Sequence, residues 1–206
     1  MTRTWDADWE ERRAGKSCPM CNEGRPDETH GNARIFAGRV SDAYLVRGDV
    51  GQPGYTIVIW RGRHVADATE LADADAAAYL REVLTVARAI EAQYRPAKLN
   101  LAMYGNSVPH LHAHLVPRYV TDDSPGEPPR FLRIQEGNRG EMPEEKFHRD
   151  VAALRVALAH RFQRDPCPQS LARSPKPSKR SASQPRPQLG AMVVNTPVTG
   201  GVSPTA

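Results

Sequence analysis

The chain has few of the features that mark secreted or membrane proteins. Its 206 residues include only three cysteines, too few for a disulfide framework. No apolar run reaches the ~18 residues that a membrane span requires. The first sixteen residues, MTRTWDADWEERRAGK, are charged and lack the apolar stretch of a signal peptide. We therefore expect a cytoplasmic protein with no membrane partner.

Acidic residues are absent from the last part of the chain, where the excess basic charge is concentrated. Residues 166–206 contain five of the 28 Lys and Arg and none of the 24 Asp and Glu. The remainder, 1–165, therefore has 23 basic against 24 acidic side chains and is close to neutral. A nucleic-acid-binding domain usually carries its basic patch on the folded surface. We expect no nucleic-acid partner.

The composition also changes at residue 166 and divides the chain into two parts. Residues 166–206 are rich in Pro, Ser, Gly and Thr and offer little apolar surface to offset the entropy of ordering. They are predicted to be a disordered tail that follows a folded domain over 1–165. The tail segments SPKPSKR and QPRPQ resemble polyproline II ligands, although such a composition is more often only solubilising.

Residues 1–165 show the patterns of an α+β domain. Short β-prone runs separated by turn residues predict about five strands, at Arg34–Gly38, Ala43–Arg47, Tyr55–Arg61, Lys98–Tyr104 and Leu111–Pro117. A 3.6-residue apolar period predicts a long helix that Asp73 or Asp75 caps and Pro96 ends. Its apolar, core-facing side is expected to carry Leu80, Val83, Leu84, Ala87, Ile90 and Tyr94. A second helix is predicted to begin near Pro143, where acidic residues suit the first turn.

Three histidines alternate in the stretch VPHLHAHLVPRY. In a strand, His110, His112 and His114 share one face at successive spacings of ~6.5 Å. This spacing is too wide for one tetrahedral metal to bind all three, although an adjacent pair can just share one. A solvated polar face is the ordinary explanation for a lone histidine, but three in strict alternation favour a site. Neutral imidazoles suit phosphoryl chemistry, since one can attack phosphorus while its neighbours donate hydrogen bonds to the oxygens.

The segment HLHAHLV resembles the signature of the histidine triad (HIT) nucleotide hydrolases and transferases. The stretch GYTIVIWRGRH is similar to the family's preceding strand, with Tyr55 in place of the usual His and Trp60 in place of the usual Pro. The stretch GNSVPHLHAHLVPRY is similar to the family's catalytic core, and the resemblance covers roughly residues 18–119. It implies a HIT-like antiparallel sheet with one long helix and a C-terminal helix, and a homodimer.

The resemblance also implies a role for each matched residue. His112 is then the nucleophile, His114 the donor on the phosphate side, and Ser107 the hydroxyl that contacts phosphate or the leaving group. Substrate-binding positions are Asp49 for a ribose hydroxyl, Asn100 near the phosphates, and Asn106 where Gln is common.

A possible metal site begins at CPMC, in which Cys18 and Cys21 form half of a tetrahedral set. Taken alone, this pair is equally compatible with a redox pair or two buried thiols. The zinc-bearing branch of the family adds two histidines, which correspond here to His64 and His110. The resemblance therefore implies a structural zinc ion held by two Cys and two His.

Together these features lead us to expect a hydrolase that cleaves phosphoanhydride or phosphoramidate bonds at the α-phosphate of a nucleotide. Dinucleoside polyphosphates and adenosine phosphoramidates are the expected substrates, with a covalent nucleotidyl-histidine intermediate. Two alternatives stay open. One is a phosphorylase or nucleotidyltransferase of the same family, and the other is a non-catalytic nucleotide-binding or interaction protein.

Overall fold

A computed structural model of the chain describes residues 5–48, 51–133, 137 and 140–164. Six strands form one antiparallel sheet with the order β1-β2-β3-β4-β6-β5. Their bounds are Glu28–Thr29 (β1), Asn32–Ala37 (β2), Ser41–Leu45 (β3), Thr56–Trp60 (β4), Lys98–Ala102 (β5) and His112–Arg118 (β6). The expected antiparallel α+β fold is confirmed, and the sixth strand, β1, has only two residues and so no detectable period.

In the part of the chain that the structure describes, two long helices and three short ones accompany the sheet. The α-helices are Trp9–Arg13 (α1), Pro19–Asn22 (α2), Asp73–Tyr94 (α3), Arg130–Arg133 (α4) and Glu144–Arg164 (α5), and Ala68–Glu70 forms a 3₁₀ turn. The predicted helices correspond to α3 and α5. Helices α1, α2 and α4 are single turns that are too short to show a 3.6-residue period. Within the described ranges, no helix has the length and apolar character needed to span a membrane.

The start of α3 differs from the prediction. Its N-cap is Ala72, which makes no side-chain capping bond, so the expected cap by Asp73 or Asp75 is wrong. Both aspartates lie in the first turn, where their charge still favours the positive end of the helix dipole. The helix ends as predicted before Pro96, with Arg95 in the left-handed conformation.

Helices α3 and α5 pack on one face of the sheet and form the main core with it. From α3 the core takes Val83, Val86 and Ile90, while α5 contributes Leu154 and Leu158. Full burial of such a side chain stabilises the fold by ~1.5–3 kcal/mol relative to exposure.

The apolar face of α3 is placed differently from the prediction at two positions. Leu80 and Leu84 were expected to be buried, but 46% and 37% of their surfaces are exposed. Tyr79 and Val86 take their place in the core. Leu80 and Leu84 lie on one side of the stripe around Val83, and Tyr79 and Val86 lie on the other, so the apolar pattern alone could not decide which side is buried.

Successive side chains of β6 point to opposite faces of the sheet. Ala113 and Leu115 point toward the helices and are fully buried in the core. His112 and His114 point to the opposite face. The α3–α5 layer therefore supports the strand from behind while leaving the two imidazoles on the other side.

Candidate active site

The site is built on β6, which lies between β4 and β5 in the sheet. Antiparallel pairing places His112 opposite Ile59 and His114 opposite Ile57. The two imidazole centroids are 4.8 Å apart, and both side chains are largely buried. A strand that is hydrogen-bonded on both sides holds these rings in place much more firmly than a loop would.

One nitrogen of His112 is held by the backbone. Its Nδ1 lies 2.6 Å from the carbonyl oxygen of His110, so Nδ1–H is the donor. Burial lowers the pKa of His112 below its ordinary value, because the charged ring would lose its hydration. The neutral ring then carries its lone pair on Nε2, which is the protonation state that a nucleophile requires.

The neighbouring ring of His114 is held by a tyrosine. Its Nδ1 and the hydroxyl of Tyr55 are 2.6 Å apart in a buried hydrogen bond. Burial, with a smaller contribution from His112, lowers the pKa of His114 to about 4. The ring of Tyr104 lies 5.3 Å from that of His114, measured between centroids. His114 is therefore neutral near pH 7 and enclosed by aromatic side chains.

His110 lies just before β6 and takes part in a separate cluster. Its Nδ1 is 3.4 Å from the Sγ atoms of both Cys18 and Cys21. Its Nε2 donates to the carbonyl oxygen of Trp60 at 2.8 Å. The second imidazole, that of His64, is arranged in the same way: Nδ1 is 3.5 Å from Cys21 Sγ, and Nε2 is 3.1 Å from a backbone carbonyl, that of Arg13.

This cluster fits a tetrahedral metal ion. The four candidate ligand atoms all lie within 4.8 Å of one another, and they belong to Cys18, Cys21, His64 and His110. Zinc–sulfur and zinc–nitrogen bonds of ~2.3 and ~2.0 Å at tetrahedral angles require S···N separations of about 3.5 Å. The observed separations of 3.4 and 3.5 Å meet that requirement. Carbonyl partners on both outer ring nitrogens leave each Nδ1 lone pair for the metal, as is usual for metal-binding histidines.

Hydrogen bonds from arginines hold the N-terminal segment against the sheet. Arg61 donates to the buried carboxylate of Asp42 and to the carbonyl oxygen of Met20, which lies between the two cysteines. On α1, Arg12 donates to the backbone carbonyl of Ser107. These hydrogen bonds attach the cysteine segment to the sheet and α1 to the loop before β6.

The expected substrate-binding residues differ in where they lie relative to the triad. Asn100 lies on β5 opposite Val116, on the same face as the triad, and its Oδ1 accepts a bond from Arg118. Asn106 and Ser107 are exposed in the loop before β6. Among the described residues, no recorded side-chain hydrogen bond joins either of them to the triad. Asp49 and the tail of residues 166–206 lie outside the described residues.

Two cavities bear on where a ligand can bind. One of about 180 Å³ is lined by His112, Met103, Tyr104 and the turn around Asp67 and Thr69. A larger one, about 740 Å³, lies near Tyr94 and Lys146 and includes no triad residue. We assign the site to the smaller cavity because it is lined by His112, whose Nε2 has no hydrogen bond within the described residues. The larger cavity contains none of the triad histidines.

Tyr55 was not assigned a role from the sequence, and no particular carbonyl acceptor was assigned to the triad. Tyr55 was recognised only as a departure from the family pattern. Alternation places Tyr55 on the same face of its strand as Ile57, but the pairing of Ile57 with His114 follows only from the folded sheet. Backbone carbonyls such as those of His110 and Trp60 have no sequence signal, because every residue has one.

Comparison with known proteins agrees with this geometry. A family model described as the HIT domain matches residues 43–121. A bis(5'-adenosyl)-triphosphatase of Saccharomyces cerevisiae is 31% identical over 72 residues, which are 32% of this chain and 35% of that protein. The protein named Protein hit of Bacillus subtilis is 36% identical over 78 residues, or 35% of this chain and 53% of that protein. The chain thus matches about a third of the first relative's length and about half of the second's.

Solved structures with the same fold also exist. A histidine triad protein of Bradyrhizobium japonicum superposes with a TM-score of 0.54 at 22% identity, over 62% of this chain and 90% of that one. A hypothetical histidine triad nucleotide-binding protein of Sulfolobus tokodaii gives 0.51 at 21% identity, over 72% and 94%. At these identities the likeness establishes the fold.

Proposed function

Because this chain carries a histidine triad (HIT) domain, we propose that it is a nucleotide hydrolase that cleaves phosphoanhydride or phosphoramidate bonds at the α-phosphate. Its substrates on this proposal are dinucleoside polyphosphates or adenosine phosphoramidates. The observation that carries the proposal is the geometry of His112: a backbone carbonyl holds its Nδ1, so the neutral ring has its lone pair on Nε2, and burial lowers its pKa, which favours that neutral ring.

The reaction proceeds in two displacements at phosphorus. In the first, Nε2 of His112 attacks the α-phosphorus and forms a P–N bond while the P–O or P–N bond to the leaving group breaks. The leaving group takes the electron pair of the broken bond, and an amine leaving group also takes up a proton from solvent. Ser107 contacts the leaving group, and His114 donates a hydrogen bond to a phosphoryl oxygen and stabilises the developing charge. In the second, water attacks the same phosphorus, loses a proton, and releases the nucleoside monophosphate together with neutral His112.

The remaining site residues bind the nucleotide. Asp49 binds a ribose hydroxyl, while the amide of Asn106 lies beside the phosphates. The Oδ1 of Asn100 accepts a bond from Arg118, which leaves its NH₂ group as the donor toward a phosphate. These contacts orient the α-phosphate for in-line attack by His112.

We further propose that the metal cluster binds one zinc ion through Cys18, Cys21, His64 and His110. Soft thiolates and imidazoles in a closed tetrahedral set are typical of structural zinc. The ion would stabilise the fold of the N-terminal segment and takes no part in the displacement. The three histidines therefore have different roles. His110 binds the metal, His112 attacks the phosphorus, and His114 donates a hydrogen bond to a phosphoryl oxygen.

A substrate panel tests the function. Purified protein is incubated with diadenosine polyphosphates and adenosine phosphoramidates, and the products are separated by chromatography. We expect a nucleoside monophosphate, formed with the wild type and with the control His148→Ala, which removes an exposed imidazole on α5. His112→Ala should reduce turnover by several orders of magnitude while nucleotide binding persists. Wild-type turnover by His112→Ala, or no turnover of any member of the panel, would reject the hydrolase.

The molecule that accepts the nucleotidyl group from His112 distinguishes hydrolysis from group transfer. A phosphorylase of the same family uses inorganic phosphate in place of water in the second displacement and releases a nucleoside diphosphate. Added phosphate should leave the product of this protein unchanged. A diphosphate product would instead identify a phosphorylase or nucleotidyltransferase, with the same role for His112.

The family resemblance and the exposed apolar residues support a homodimer. Leu80 and Leu84 of α3 are partly exposed, and β5 is an edge strand whose outer side pairs with no other described strand. Leu101 of β5 is also exposed, and it lies opposite Leu115 on the helix side of the sheet. We propose that a second copy of the chain covers these leucines and the open edge, since exposed apolar side chains and unpaired strand edges both favour association.

A further inference from the structure

Tyr55 occupies a position from which it can set the chemistry of His114. Its side chain is buried at the end of the loop that leads into β4, and only 4% of the residue is exposed. The hydroxyl oxygen is 2.6 Å from His114 Nδ1, and the two rings are nearly parallel, with an angle of 13° between their planes. The separation of 2.6 Å lies at the short end of the range for hydroxyl donors, and the hydrogen bond is buried away from water.

The direction of this hydrogen bond decides what His114 can do. A neutral imidazole has one N–H and one lone pair. If the tyrosine hydroxyl donates to Nδ1, the ring proton lies on Nε2, and Nε2 is a donor. If Nδ1–H donates to the tyrosine oxygen, Nε2 presents a lone pair, which would repel a phosphoryl oxygen.

We propose that Tyr55 is a positioning residue that donates its hydroxyl proton to Nδ1 of His114 and thereby holds the Nε2–H tautomer, ready to donate to a phosphoryl oxygen. The inference rests on the proposed function for the identity of that oxygen, but the tautomer itself is a property of the unliganded protein. A tyrosine suits this task because its hydroxyl stays protonated near pH 7. The depressed pKa of His114 agrees with the proposal, because only a neutral ring has a tautomer to select.

Tyr55→Phe is the variant that tests the proposal. It removes one oxygen and keeps the ring that stacks on His114. The nitrogen resonances of the histidine side chains, recorded on ¹⁵N-labelled full-length protein, report which ring nitrogen carries the proton. In the wild type we expect His114 to show a protonated Nε2 and an unprotonated Nδ1. In Tyr55→Phe a population with the proton on Nδ1 should appear.

Tyr79→Phe provides a matched control. Tyr79 is a second buried tyrosine, and its hydroxyl donates to the carbonyl oxygen of Val58 on β4 at 2.8 Å, on the helix side of the same sheet. Its loss removes a hydrogen bond of similar length and burial, so it should lower stability to a similar extent. The tautomer of His114 and the turnover should both remain as in the wild type.

The kinetics separate positioning from a general loss of structure. In Tyr55→Phe, kcat should fall roughly tenfold, the effect of losing one ordinary hydrogen bond, with KM little changed because the donor acts mainly in the transition state. In a His114→Ala background, Tyr55→Phe should cost less than about twofold, because the partner through which it acts is gone.

Each result bears on the proposal separately from the hydrolase assignment. A wild-type spectrum with the proton on Nδ1 of His114 would overturn it, as would an unchanged tautomer in Tyr55→Phe. A full tenfold loss in the His114→Ala background would also overturn it, because Tyr55 would then act elsewhere. If no nucleotide is turned over, the proposed function fails, yet the spectra still decide whether Tyr55 sets the tautomer.

Discussion

Removal of the His114 imidazole should flatten the pH dependence of the unfolding free energy. Burial lowers the pKa of His114 to about 4 in the folded protein, whereas an unfolded chain has the ordinary value of ~6.5. Between these values the unfolded chain binds a proton that the folded chain does not. Stability is therefore retained above the unfolded pKa and lost as the pH falls toward the folded one.

The size of the effect follows from the two pKa values. Their full difference corresponds to about 3 kcal/mol, at ~1.4 kcal/mol for each pKa unit. Between pH ~7 and pH ~5 the linkage relation assigns about 2 kcal/mol of this loss to His114. The residue is only 9% exposed, so screening by solvent reduces this figure little.

Urea unfolding at these two pH values measures the difference directly. The loss of unfolding free energy on acidification should be about 2 kcal/mol smaller in His114→Gln than in the wild type. Tyr79→Phe is the control, because it lowers stability without removing an imidazole and should keep the wild-type loss. The metal ligands titrate in all three proteins, so their contribution cancels in the comparison. Equal losses in His114→Gln and wild type would refute the reasoning.

Three further predictions concern the rest of the chain. Cys18→Ser should abolish the zinc content of about one ion per chain and lower the melting temperature, because binding and folding of such a site are coupled; a wild-type protein with no zinc and three free thiols would contradict this. Truncation after Asp165 should leave Tm and kcat/KM nearly unchanged, and a large fall in either would show that the tail contributes to the fold or the site. Light scattering should find a dimer in the wild type and a monomer in Leu84→Glu, because a carboxylate cannot be buried unpaired in an apolar interface; a monomeric wild type would rule out the dimer.

Periodicity and motif spacing predicted the elements that position the site. The 3.6-residue pattern found α3 and α5, and strict alternation placed His112 and His114 on one face of a strand. The pairing of the two cysteines with His64 and His110 came from the family resemblance alone. No local pattern could join residues as far apart as Cys18 and His110.

The features that the sequence did not predict depend on tertiary contacts. The short helices α1 and α2 are held by bonds such as that from Arg61 to the carbonyl of Met20, and no propensity encodes such a contact. The hydrogen bond from the outer ring nitrogen of His110 to the Trp60 carbonyl likewise follows only from the folded chain. The contact between Tyr55 and His114 required the register of β4 against β6, which follows only from the folded sheet.

Trapping the covalent intermediate tests the central claim, attack by His112, most directly. The protein is mixed with a substrate labelled at its α-phosphate, quenched with base within milliseconds because phosphoramidates are acid-labile, and digested for peptide mapping. The account predicts a labelled, acid-labile nucleotide adduct on His112 that forms before product is released and is absent in His112→Ala. Product formation at the normal rate with no adduct on His112 would contradict it.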